Sequence, residues 1–216
     1  MNYSYNNEVS IQLKDVTLEG ELVIPPTAKA IIIFSHGSGS SRFSRRNKTV
    51  ARYLNEKNFG TLLFDLLTVE EDKNYSTRFD IELLTKRLAG ATEWLEEFPA
   101  AKDCRIGYFG ASTGAASALS AAANLQNIGA VVSRGGRPDL ASKELSKVNA
   151  PTLLIVGSLD FHVLDLNRQS LTRLKCEKKL EIVEGASHLF EESGKMQTVS
   201  KLAGAWFEKY LLPVGV

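Results

Sequence analysis

Two hydrophobic rhythms follow one another along this chain. Residues 9–13 and 17–24 alternate apolar with polar positions on either side of Lys14-Asp15. This is the period of a half-buried strand, and it predicts an antiparallel hairpin that Pro25-Pro26 ends. The run at 30–34 is instead continuously apolar, as in a strand covered on both faces. Further strands are predicted at 61–65, from Arg105 into Phe109, and at 130–133, 152–156 and 179–183. Between them come helical patterns. Val50, Leu54 and Phe59 bracket a helix over about 46–57, closed by Asn58 and Gly60. Phe79, Leu83, Leu84, Leu88, Ala91, Trp94 and Leu95 recur at helical spacing to about Phe98, where Pro99 stops them. An alanine-rich helix over 115–125 is small-sided enough to lie buried on a sheet. Helices over about 163–174 and 194–211 complete the set, the last with Val199, Leu202, Phe207 and Leu211 on one face. Strand and helix alternate after residue 30. The fold class is therefore α/β, a mostly parallel doubly wound sheet of about eight strands with helices on both faces. No repeat or long linker divides it, so residues 1–216 are expected to form one domain.

Composition narrows the function classes. The chain has 216 residues with 44% hydrophobic and 24% charged, an ordinary globular balance with room for a substantial core. A formal net charge of +1 gives no global field toward nucleic acid or membrane. The first ten residues are polar, so no signal peptide is expected there, and no apolar stretch approaches membrane-span length. Cys104 and Cys176 lack metal-type spacing and are expected to be free buried thiols, with a reduced, cytoplasmic setting as the default. No metal or organic cofactor is called for. A monomer or small homo-oligomer is expected.

The segment Gly110-Ala111-Ser112-Thr113-Gly114 changes the picture. It stands between a strand and a helix, the order in which a nucleophile elbow is written. Its outer positions must be nearly bare where strand and helix close on each other, and both are glycine. Two later strand ends carry complementary chemistry. Residues 152–156 run into Gly157-Ser158-Leu159-Asp160, and 179–183 run into Glu184-Gly185-Ala186-Ser187-His188. In an open α/β sheet the carboxyl ends of the strands share one edge. Ser112, Asp160 and His188 are thus expected to meet as nucleophile, orienting acid and general base. Asp160 as a turn residue and His188 as a helix cap are the plainer readings of each alone. Among rivals, His36 reads as a loop-holding histidine, His162 as a pocket contact or alternative base, and Asp139 or Asp165 as alternative acids.

The loop His36-Gly37-Ser38-Gly39-Ser40 is expected to supply an oxyanion donor from the backbone N–H of Ser38, with the N–H of Thr113 as the second. It lacks the Gly-Lys-Ser/Thr ending of a phosphate-binding P-loop, and no acidic residue stands where a dinucleotide ribose needs one. Arg134 and Arg137, with Arg42, Arg45 and Arg46, fall in loops at the same edge and are candidates for holding an anionic substrate. Pairing with nearby acids is the alternative. The polar segment 69–78 is the one candidate lid, too short for a large cap.

These stretches together resemble the α/β-hydrolase superfamily, and within it the dienelactone-hydrolase-related bacterial hydrolases. The likeness rests on residues 35–42, Phe109 to Gly114, the run 131–139 around Arg134-Gly135-Gly136-Arg137-Pro138-Asp139, and the run 186–192 around His188. It implies a compact hydrolase without a large cap, acting on an ester or lactone. One departure stands out. Dienelactone hydrolases use a cysteine nucleophile, and here the position is Ser112. The expected activity is a serine hydrolase for small carboxylic esters or lactones. A thioesterase or other acyl hydrolase, or a ligand-binding protein on the same fold, are the alternatives.

Overall fold

A computed structural model describes residues 3–212. The hairpin forms as its alternation requires. β1 (Tyr5–Gln12) and β2 (Thr17–Ile24) pair antiparallel, with Ile11 opposite Leu18. β1 starts earlier than its apolar rhythm suggests. It is an edge strand bonded to β2 alone, so its polar first half faces solvent without cost.

The rest of the chain runs β3 (Ala30–Ser35), α1 (Arg45–Glu56), β4 (Gly60–Phe64), α2 (Val69–Asp72), α3 (Ile81–Glu96), β5 (Arg105–Ala111), α4 (Thr113–Asn124), β6 (Ile128–Arg134), β7 (Thr152–Gly157), α5 (Phe161–Arg173), β8 (Lys178–Val183) and α6 (Lys195–Leu211). The eight strands make one sheet in the order β1-β2-β4-β3-β5-β6-β7-β8. β2 runs against both its neighbours, and the strands from β4 across to β8 are parallel. The doubly wound α/β expectation is met.

Both faces are covered, which explains the continuous apolar runs. On β3, Ile31 and Ile33 pack toward α3 and α4, while Ala30, Ile32 and Phe34 pack toward α1 and α6. α4 is buried along its length, and its alanines let it lie close to the sheet. Midway along it the Ser117 hydroxyl bonds that of Ser35 at 2.7 Å.

Three expectations are corrected. The helix expected from Phe79 starts at Ile81, because the Asp80 carboxylate accepts from the Leu83 N–H and caps it there. Phe79 is left in a preceding 3-10 turn, partly exposed. The segment after β4, read as plain polar chain, holds the short helix α2. Thr68 and Glu71 cap it reciprocally, and Arg87 of α3, almost wholly buried, bonds Glu71 at 2.8 Å and Asp15 of the hairpin turn at 3.0 Å. The candidate lid is thereby fastened at its root. The two cysteines are free as expected but half-buried rather than buried. No described helix is long and apolar enough to cross a membrane.

Candidate active site

The elbow is built by close approach. A Cβ on Gly114 would stand 2.2 Å from the Ser35 carbonyl oxygen and 2.5 Å from that of His36. One on Gly110 would meet the Ala115 Cα at 2.5 Å. Only bare backbone fits at either place, so β5 and α4 close tightly and the chain turns within one residue. That residue is Ser112, with φ 51° and ψ −123°. A non-glycine residue at such angles is strained and persists only where its surroundings hold it. Here they do. The Ser112 N–H donates to the Arg134 carbonyl at 3.3 Å, and its own carbonyl accepts from the Arg137 N–H at 3.0 Å. The 134–137 loop therefore grips both sides of the apex.

The other two predicted residues meet each other. His188 Nδ1 and Asp160 Oδ2 are 2.6 Å apart, with Asp160 the more buried of the two. The Asp160 and His188 loops are locked together by main chain. The Leu159 N–H donates to the Ala186 carbonyl, the Ser158 N–H to that of Val183, and the Ser158 hydroxyl accepts from the Gly185 N–H at 2.8 Å. Gly135 lies under the histidine: a Cβ there would stand 3.1 Å from the His188 carbonyl and 3.6 Å from its ring Cε1. The same 134–137 loop thus touches Ser112 and His188 alike. Among the described residues no hydrogen bond joins Ser112 Oγ to His188. Such contacts commonly tighten only around substrate.

His36 holds its loop, as expected. It is buried, its Nε2 accepts from the Leu66 N–H at 3.0 Å, and its Nδ1 lies 3.0 Å from the Gly37 carbonyl. That pattern fixes a neutral ring with the proton on Nδ1, and burial lowers its pKa accordingly. His162 stands exposed on the first turn of α5. Asp139 is engaged by Arg137 through two hydrogen bonds of 2.9 and 2.8 Å, so the alternative acid and one substrate candidate neutralise each other. Arg42 pairs with Asp65, and Arg46 with Glu191 at 2.9 Å.

Arg134 is different. Only 4% exposed, it has no carboxylate partner among the described residues. One guanidinium nitrogen reaches the Asn47 side-chain oxygen at 3.5 Å, Nε is unpaired, and the Phe190 ring lies 6.0 Å away. Burial first, and the nearby Arg46 charge second, push its pKa down to about 10.

The loop expected to supply the oxyanion donor lies against Ser112. A Cβ on Gly37 would be 3.0 Å from the Ser112 Cβ. The expected donor is occupied, however: the Ser38 N–H donates to Thr113 Oγ1 at 2.8 Å. Among the described residues no hydrogen bond uses the Thr113 N–H at the start of α4. Sequence reasoning also missed Phe190 and Glu192. Phe190 takes φ 56° with its ring buried, and the Glu192 carboxylate accepts from the Ser187 N–H at 3.0 Å. Both fix the turn that carries His188.

A doubly wound sheet with a strained serine after its central strand, and an Asp–His pair after two later strands, defines an α/β-hydrolase. The chain belongs to the dienelactone hydrolase family, whose profile matches residues 18–209. The crystal structure of a dienelactone hydrolase from Anabaena variabilis is 50% identical, covering 96% of this chain and 99% of that one, with a TM-score of 0.94. Est1E from Butyrivibrio proteoclasticus shares the fold at 15% identity and a TM-score of 0.80, covering 94% of this chain and 98% of its own. Two Mycobacterium tuberculosis proteins are 50% identical over 97% of this chain and carry the name of a proposed phosphoribosyl transferase. The chain spans about half the length of these curated relatives, 48%.

Proposed function

We propose that this protein is a serine hydrolase that cleaves small carboxylic esters or lactones through an acyl-enzyme on Ser112. The observation that carries the proposal is the 2.6 Å His188–Asp160 contact, reached by the same 134–137 loop that holds Ser112 at positive φ. Asp160 keeps the His188 proton on Nδ1, leaving Nε2 as the base. As Ser112 Oγ bonds to the carbonyl carbon, its proton passes to Nε2 and the carbonyl π electrons move to oxygen. The imidazolium then protonates the leaving alkoxide. Water repeats the sequence on the acyl-enzyme. No cofactor or metal takes part.

Leu159, Phe161 and Leu189 are exposed next to Asp160 and His188 in the chain. They offer an apolar rim for an acyl or alcohol group, with His162 beside them. The transferase name belongs to chains about twice this length, of which this chain matches 48%. Thioesters would use the same nucleophile and are the second reading. In a panel of short-chain nitrophenyl esters, a small lactone and an acyl thioester, the ester and lactone are expected to show the highest kcat/KM. Turnover of the thioester alone would favour the second reading, and turnover of none would refute both.

Arg134 supports selection of an acidic substrate. A buried cation lacking a counter-charge is costly, and a substrate carboxylate would supply one. Arg134→Met keeps the bulk and removes the charge. Its kcat/KM for an ester bearing a free carboxylate is expected to fall roughly tenfold to a hundredfold, the worth of a charged hydrogen bond. A matched neutral ester should be little affected, and thermal stability should hold or rise. Equal losses on both esters would rule out charge recognition.

A further inference from the structure

The hydroxyl of Thr113 is half accounted for. Its oxygen accepts the Ser38 N–H at 2.8 Å, yet its proton has no acceptor among the described residues, although the side chain is only 3% exposed. Buried hydroxyl protons ordinarily find a partner. The neighbouring Thr113 N–H, at the first turn of the twelve-residue helix α4, is equally unspent. Both donors belong to the residue that follows the nucleophile. A threonine's own N–H and O–H can close on one oxygen atom, and here that atom would sit at the positive end of a helix.

We infer that Thr113 is a catalytic residue whose side-chain O–H, together with its backbone N–H, holds the oxyanion, and that the Ser38 N–H acts through it. The inference rests on Ser112 being the nucleophile. When Ser112 Oγ bonds to the carbonyl carbon, the electron pair displaced onto oxygen meets two donors on Thr113. No proton leaves Thr113. The Ser38 N–H polarises the Thr113 hydroxyl, and a polarised hydroxyl donates more strongly. The expected assignment of Ser38 as a direct donor becomes an indirect one. It also explains why a loop residue as exposed as Ser38 has its amide fixed: that amide orients the hydroxyl, leaving its proton free to face the substrate.

The test uses Thr113→Val and Thr113→Ser with an activated short-chain ester, a trifluoromethyl ketone that adds to the nucleophile as a tetrahedral adduct, and a fluorophosphonate probe read by mass spectrometry. Valine keeps the shape and removes the hydroxyl. Its kcat is expected to fall about tenfold or more, short of the roughly 10²–10³ lost with a primary oxyanion donor. KM should be unchanged, and affinity for the trifluoromethyl ketone should fall by the factor lost in kcat. Serine restores the donor and should return kcat to within about threefold of wild type, because one hydroxyl replaces another. A valine variant with wild-type kcat would overturn the inference, and a faster one would show the hydroxyl competing for the Ser38 N–H. A folded serine variant as slow as the valine one would assign the effect to lost packing and overturn it too. These outcomes presuppose a wild type labelled at Ser112. A wild type that turns over substrate without that label would refute the nucleophile itself, and the inference with it.

Discussion

Ser112→Ala is expected to abolish turnover of every substrate the protein accepts and all labelling by a fluorophosphonate. Removal of the nucleophile from a comparable triad costs roughly 10⁶-fold in kcat. The substitution takes away one oxygen and leaves the elbow otherwise intact. The residue remains at positive φ, gripped through the Arg134 carbonyl and the Arg137 N–H, so the variant should fold with wild-type stability. That separates lost chemistry from lost structure. Nitrophenolate release in single-turnover and steady-state modes, with the labelled peptide identified by mass spectrometry, measures it. Full activity in the alanine variant, or a label on another residue, would remove Ser112 from the mechanism.

Asp160→Asn should be nearly as damaging. The carboxylate lies 2.6 Å from His188 Nδ1, where it accepts a hydrogen bond from the Nδ1–H and leaves Nε2 free to act as the proposed base. A carboxamide can turn its NH2 toward Nδ1 and hold the opposite tautomer, in which Nε2 carries the proton and cannot take another. In the chymotrypsin-type triad this change costs about 10⁴-fold in kcat, and a similar loss is expected. The comparison variant is Asp139→Asn. Asp139 stands after the preceding strand, where its carboxylate is held by Arg137, so its loss should change kcat by only about threefold, the effect of a partly exposed ion pair. If Asp139→Asn proved the more damaging of the two, the acid would have to be reassigned.

Much of this was legible in the sequence because it depends on topology. Alternating strands and helices oblige the ends of β5, β7 and β8 to share an edge, and Ser112, Asp160 and His188 sit at those ends. Gly110 and Gly114 were readable for the same reason, since the elbow leaves no room for a side chain at either position. The Thr68-x-x-Glu71 capping box was also written plainly and passed over, because the surrounding segment has no apolar face to mark a helix. Other features have no local signature. Phe190 takes a left-handed conformation because its ring is buried among residues distant in the chain. Arg134 ends a strand where arginine normally reaches solvent, and only the packing of α1 and the 188–190 turn over it encloses the charge. The bond between Ser38 and Thr113 spans 75 positions and depends on where two loops settle.

The carbonyls of Ser35 and His36, pressed against Gly114, make nucleophile and oxyanion loop a single chassis. Phe43, Tyr75, Phe79, Leu159 and Phe161 stand outside that chassis, all exposed. Such a division lets the rim drift while the bond-breaking machinery stays put. Exchanging such surface residues one at a time is expected to leave the frame that holds Ser112 unchanged.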